Sequence, residues 1–287
     1  MQHATRLSYL MQQLQALPAT PESMPVLFVG HGNPMNAVEC NDFSKSWSAI
    51  GRALPKPKAI LSISAHWLTQ GVTQVLTTEK PTTIHDFYGF PPALFEQQYP
   101  SPGAPEAALQ TWTIAPSIIE TTEDWGLDHG TWSVLLSMFP QADIPVYQIS
   151  IDYRKPPQFH YDLANRLQSL RKKGVLVMAS GNLVHNLQKM QWQSATPFDW
   201  AIEFNHLMKA AITDRDDAKL IDFNGFGSLG KMAHPTYDHY LPLLYSLGMR
   251  NRDDEVFFFN DVIDMASVSM LSFAYIPRES AHSGSVV

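Results

Sequence analysis

The sequence predicts an α/β fold: a single domain with a central, mostly parallel or mixed sheet flanked by helices. Three observations carry this expectation. Apolar stretches near 26–30, 59–65, 145–151, 174–179 and 256–259 have strand length and no strict alternation, as strands covered on both faces do. Segments 43–54, 104–114, 158–173 and 197–214 repeat apolar residues at i, i+3 and i+4, the spacing of amphipathic helices. The two kinds of segment alternate along the chain, which is the element order of a layered α/β domain.

Residues 1–23, MQHATRLSYLMQQLQALPATPES, read as an N-terminal extension, a short amphipathic helix followed by a Pro/Thr/Ser linker. They lack the continuous apolar core of a signal peptide. From 24 to 287 no shift of composition marks a boundary and the 21 prolines are spread through loops, so this span is expected to be one domain. Within it, 78–104 (TEKPTTIHDFYGFPPALFEQQYPSPGA) is rich in Pro, Gly and aromatic residues and has little periodicity. A loop of that length in a compact domain is expected to be a lid or pocket wall. Its Phe87, Tyr88 and Phe90 suit either a flat aromatic ligand or packing on their own domain.

Composition narrows the function classes. Lys+Arg number 20 against 27 Asp+Glu, a formal charge of -7, which argues against a nucleic-acid backbone as partner. Cys40 is the only cysteine, so no intramolecular disulfide can form and a cytoplasmic location is expected. The longest apolar runs are strand-length, far short of the roughly 20 residues that a membrane span needs. Arg171, Lys172 and Lys173 read as a solvated charge run complementing a helix dipole.

The eleven histidines offer the chemistry. His31 follows VLFVG between two glycines, His66 follows AILSISA, and His185 follows GVLVMASGNLV. In open α/β sheets, ligands bind beyond the carboxyl ends of the strands, so these three imidazoles are expected to converge. Each alone is more often a helix cap, a hydrogen-bonded structural group or a surface residue; the joint pattern predicts a site. Further candidates are His129, bracketed by Gly126 and Gly130, and His234 and His239 in AHPTYDHYLPLL. His3, His160, His206 and His282 read as ordinary tail or helix residues, with His85 intermediate. Asp128 and Asp238 suit either helix capping or orientation of the adjacent imidazoles. There is no GxSxG elbow, HExxH, phosphate loop or cysteine-based zinc pattern, and GFGSLGKM (225–232) lacks the surrounding strand and helix of a dinucleotide loop.

The stretches FVGHGNPMNA, SISAHW, IHDFYGFPPALFEQQYP, DWGLDHGTWSVL, SGNLVHNL and HPTYDHYLPLLYSLG, in this order, together resemble the class III (LigB-like) extradiol ring-cleavage dioxygenases, in the 4,5-DOPA extradiol dioxygenase branch. The likeness runs from about Met24 to Tyr275. It implies a single-domain α/β fold and a non-haem divalent metal. The implied reaction inserts O2 beside the diol of a catechol such as DOPA and gives a ring-opened semialdehyde. Carried over residue by residue, it makes His31 and His66 metal ligands and His239 the histidine that completes the coordination. His185 is set against the metal, as ligand or acid/base group, and His129 is a second catalytic candidate near substrate or O2. Fe(II) is the expected metal for activity. Because His239 stands where many non-haem iron enzymes use a carboxylate, Zn(II) is also expected to be able to occupy the site. Two other readings stay open from the residues: a non-catalytic binding protein on the same fold, and a zinc-dependent hydrolase with His185 as base.

Overall fold

Strand β1 (Val26–Gly30) is buried at every position because helices cover both of its faces. Val26 and Phe28 pack into one apolar cluster, and Leu27 and Val29 into the other. The same division recurs in β2 (Ala59–Ser64) and β4 (Val175–Gly181), which explains why their sequences are continuous apolar runs. The computed structural model describes residues 2–192 and 196–278, with side chains from residue 5 onward; His282 and the side chain of His3 lie outside the described residues.

With β3 (Val146–Gln148), β5 (Glu255–Phe259) and β6 (Ser272–Ile276), these strands form a six-stranded mixed sheet of order β3-β2-β4-β1-β6-β5. The first four run parallel. β6 runs antiparallel to both β1 and β5. One face is covered by α1 (Gln2–Ala16), α2 (Asp42–Ala53) and α4 (His129–Met138), through Leu10, Leu14, Trp47, Ile50, Val134 and Leu135. The other is covered by α3 (Pro105–Ile114), α5 (Pro157–Leu167), α6 (Asp199–Asp214) and α7 (Leu241–Met249), through Ala108, Leu163, Phe204 and Leu244. Each fully buried leucine or phenylalanine contributes about 1.5–3 kcal/mol relative to exposure.

The fold departs from the sequence reading in four places. The expected strand 145–151 leaves the sheet after Gln148, and Ile151–Asp152 pairs instead with Leu68–Thr69. The helix expected over 158–173 is α-helical only to Leu167 and continues as a 3-10 turn to Lys173. β6, short and buried on both faces, carried no periodic signal. Arg171 is not a solvated cap: it is fully buried, donates to the carbonyls of Met24 and Met249, and pairs with Asp254 at 2.6 Å. Among the described residues no helix is long and apolar enough to cross a membrane.

Candidate metal centre

β2, β4 and β1 are neighbours in the sheet, and their carboxyl ends deliver His66, His185 and His31 to one place. Sheet pairing continues just past the strands: the His31 backbone N–H donates to the Gly181 carbonyl at 3.2 Å and that of Ala65 to Ser180 at 3.0 Å. The chain then turns at Gly32, whose φ of +60° is a left-handed conformation and whose added Cβ would lie 2.3 Å from Met270 Sδ.

His129 is the first residue of α4, capped by Asp128. Asp128 Oδ1 accepts from the Thr131 N–H at 3.3 Å and from Ser64 Oγ at 2.6 Å, and Oδ2 accepts from Gln148 Nε2 at 2.7 Å. A Cβ on Gly130 would sit 2.5 Å from Ser64 Oγ and 2.9 Å from His66 Cδ2, so only glycine lets the helix start this close to His66. His239 precedes α7, and its carbonyl accepts the Asn182 N–H at 3.0 Å just beyond β4.

Five imidazoles therefore meet. Nε2 of His31 and Nε2 of His66 are 3.1 Å apart. Candidate ligand atoms of His31, His66 and His129 lie within 4.8 Å of one another, as do those of His185, Asp238 and His239. The His239 ring joins the two groups, with centroids 5.2 Å from His31, 5.0 Å from His66 and 3.4 Å from His185, on which it stacks. All five line a cavity of about 590 Å³, within the usual size of a small-molecule site. The loop 78–104 walls it with Asp86, Phe87, Tyr88 and Phe90.

Hydrogen bonding fixes which ring nitrogen faces the cluster. Ser180 Oγ donates its one hydrogen to the Gly130 carbonyl at 2.6 Å, so at 2.9 Å from His31 Nδ1 it accepts. His31 thus carries its proton on Nδ1 and turns an Nε2 lone pair inward. Asp238 Oδ2, 2.7 Å from His239 Nδ1, imposes the same tautomer there. Asp86 Oδ2 lies 3.2 Å from His66 Nδ1 and 3.0 Å from His129 Nδ1; these are angled charge contacts, while Oδ1 accepts an aligned bond from the His129 backbone N–H at 2.9 Å.

Burial, reinforced by the neighbouring imidazoles, pushes His31 and His185 well below the ordinary histidine value. It also lowers His129, and brings His239 down to about 4 despite Asp238. On His66 the burial effect is overcome by the contact with Asp86 and by the charges of Asp128, Asp86 and Asp238, so its pKa rises. Asp86 and Asp238 are held below the usual carboxylate range: burial alone would raise them, but the histidines they touch win. Mostly neutral imidazoles, four of them with Nδ1 set against a neighbouring oxygen, are the donor set that a borderline divalent metal takes, and the residues fit one.

The structure thus gathers His31, His66, His129, His185 and His239. His234 stays outside, bonding the Leu183 carbonyl through Nε2 at 3.0 Å among Phe204, Phe223 and Tyr240. His85 braces the loop through Nε2 at 2.9 Å from the Gln97 carbonyl, and His160 bonds Tyr245 at 3.1 Å. His206 is exposed. Asp128 is both cap and network member, and Asp238 orients His239. Sequence reasoning missed Asp86; its signal was an acid embedded among the aromatics of the long loop.

Comparison with known proteins agrees with this geometry. The family described as the catalytic LigB subunit of aromatic ring-opening dioxygenase matches residues 24–272. A 4,5-DOPA dioxygenase extradiol from Escherichia coli (strain K12) is 43% identical over 258 residues, covering 87% of this chain and 93% of the relative. A protein of the same name from Beta vulgaris is 32% identical over 255 residues, covering 86% and 95%. The crystal structure of an uncharacterized protein from Escherichia coli K12 superposes with a TM-score of 0.77 at 39% identity, covering 88% of this chain and 99% of that one. The matched span contains all five clustered histidines and the aromatic loop beside them, and the chain belongs to the LigB family: it is an extradiol dioxygenase that opens an aromatic ring with O2.

Proposed function

We propose that the enzyme cleaves catechols such as DOPA on the 4,5 side of the diol, with His31, His66, His185 and His239 around an iron(II) ion. The observation that carries this reading is the pair of Nε2 atoms 3.1 Å apart on His31 and His66, each ring anchored from behind through Nδ1. Such a metal would take the two catechol oxygens and let electrons pass from the ring to O2. Zinc suits the same donors but cannot supply that electron path.

The protein's own part is binding, orientation and proton movement. Phe87, T-shaped against His129 at 5.5 Å, and its neighbour Phe90 offer an edge and a face for a flat ring. The His185 ring bonds no described residue, stacks on His239 and borders the cavity. Burial and the His239 ring keep it neutral, so it is able to take a hydroxyl proton from the catechol and return it to the product. His129, with Nδ1 turned to Asp86, is the second group placed to exchange a proton with substrate or O2. Free Cys40, with no partner cysteine, suits a cytoplasmic setting.

The test is the structure of the product formed from DOPA by the iron(II)-loaded enzyme, read by mass spectrometry and NMR. Gain of both oxygen atoms with the ring opened between C4 and C5 is expected; opening between the two hydroxyl-bearing carbons, or next to C2, would contradict the reading.

A further inference from the structure

Besides its histidines the cavity is lined by one carboxylate, that of Asp86, and by no permanently charged cation. Among the described residues that line it there is no lysine or arginine; its ionisable members are Asp86, Tyr88 and the five histidines. Asp238 stands directly behind His239.

Away from the histidines the walls are apolar, formed by Met35, Phe90, Met190, Met265 and Val268. At the mouth stand Tyr88, 92% exposed, Trp192, 63% exposed, and Leu187, 56% exposed. Lys189 lies in the same wall segment but is exposed and does not line the cavity. Residues 193–195 and 279–287, outside the described set, contain no lysine or arginine by sequence and so have no such cation to contribute.

Building on the catechol reading above, we propose that the enzyme selects catechols whose ring substituent is neutral or cationic and discriminates against those carrying a carboxylate. A substituent carboxylate entering this cavity sheds water, meets no guanidinium or ammonium, and faces Asp86. An alkyl substituent gains from the methionine and phenylalanine walls. An ammonium gains from Asp86 and from the faces of Tyr88 and Trp192 at the mouth. In an amino acid such as DOPA the ammonium offsets the carboxylate, so it ranks between the two extremes.

The test compares 3,4-dihydroxyphenethylamine, 4-ethylcatechol and 3,4-dihydroxyphenylacetate, similar in size and different in charge. Values of kcat/KM come from the iron-loaded enzyme, and dissociation constants from the zinc-loaded enzyme, where binding is read without turnover. The amine and the alkyl compound are expected to exceed the carboxylate by about tenfold or more on both scales, as expected for an unpaired charge. Leu187→Arg is expected to raise the carboxylate's kcat/KM relative to 4-ethylcatechol. A carboxylate used as well as the alkyl compound overturns the proposal while leaving the catechol reading intact. So does a carboxylate preference that disappears in Lys189→Gln, because it would locate a working cation. Absence of O2 uptake with all three compounds would remove the catechol reading, and the selectivity with it.

Discussion

Asp86 grips His129 twice, accepting its backbone N–H at 2.9 Å through Oδ1 and facing its Nδ1 at 3.0 Å through Oδ2. The same Oδ2 lies 3.2 Å from His66 Nδ1. One carboxylate from the pocket-wall loop therefore orients two imidazoles delivered by a strand and a helix. Asp86→Asn keeps the shape and removes the charge. It is expected to weaken metal affinity by about 10–100-fold, the usual effect of losing such a supporting group, and chelator competition measures it. Unchanged affinity would mean that the loop does not hold these ligands.

Ser180 fixes the tautomer of His31 by donating to Gly130 and accepting from Nδ1. Ser180→Ala leaves a buried ring N–H and a buried carbonyl without this partner. Destabilisation of the metal-free protein by about 1–3 kcal/mol is expected, measured by denaturant unfolding.

Metal-free stability has a predictable pH dependence. His31, His129, His185 and His239 all sit below the ordinary 6.5, as do His160 and His234, and the last two and His239 reach about 4. Between pH 6.5 and 4 the unfolded chain binds more protons than the folded one, so stability falls as pH drops through that window. His66, raised, acts oppositely: its contribution is present below 6.5 and is lost as pH rises through its folded value. It is one group against six. Asp86 and Asp238, lowered, lose their contributions only below the ordinary 3.8. Calorimetry should show Tm falling from pH 6.5 to 4; a flat or rising Tm would contradict the burial of neutral imidazoles.

The Arg171–Asp254 pair is buried beside the amino ends of β1, β4 and β5, away from the histidines at the carboxyl ends. Arg171→Ala strands a buried carboxylate and two carbonyls, at an expected cost of about 3–5 kcal/mol. The paired change Arg171→Met with Asp254→Leu should recover much of that loss in a denaturant titration. Activity per folded molecule should be unaffected in both.

The parts of the structure that were legible in the sequence share a physical cause. β1, β2 and β4 are buried on both faces, so they appear as unbroken apolar runs, and a histidine at the end of such a run points to the sheet's carboxyl edge. His129 was legible because glycines bracket it at a helix start. Asp86 was not, because an irregular loop has no period from which to read the direction of a side chain. β6 escaped because it is short and buried on both faces, with no periodic signal, and one of its two partners, β1, lies far away in sequence. Arg171 misled because a basic run at a helix end is ordinarily solvated, and only the tertiary fold brings Asp254 and two free carbonyls to it.

The central claim is that these histidines hold the metal at which O2 opens a catechol ring. The most direct measurement is O2 uptake when a catechol is added to anaerobically prepared iron(II)-loaded enzyme, with zinc-loaded wild type and iron-loaded His185→Ala as controls. One O2 consumed per ring opened, absent with zinc and strongly reduced in His185→Ala, is the result predicted. Bound iron at the histidines with no O2 consumed across a panel of catechols would contradict it.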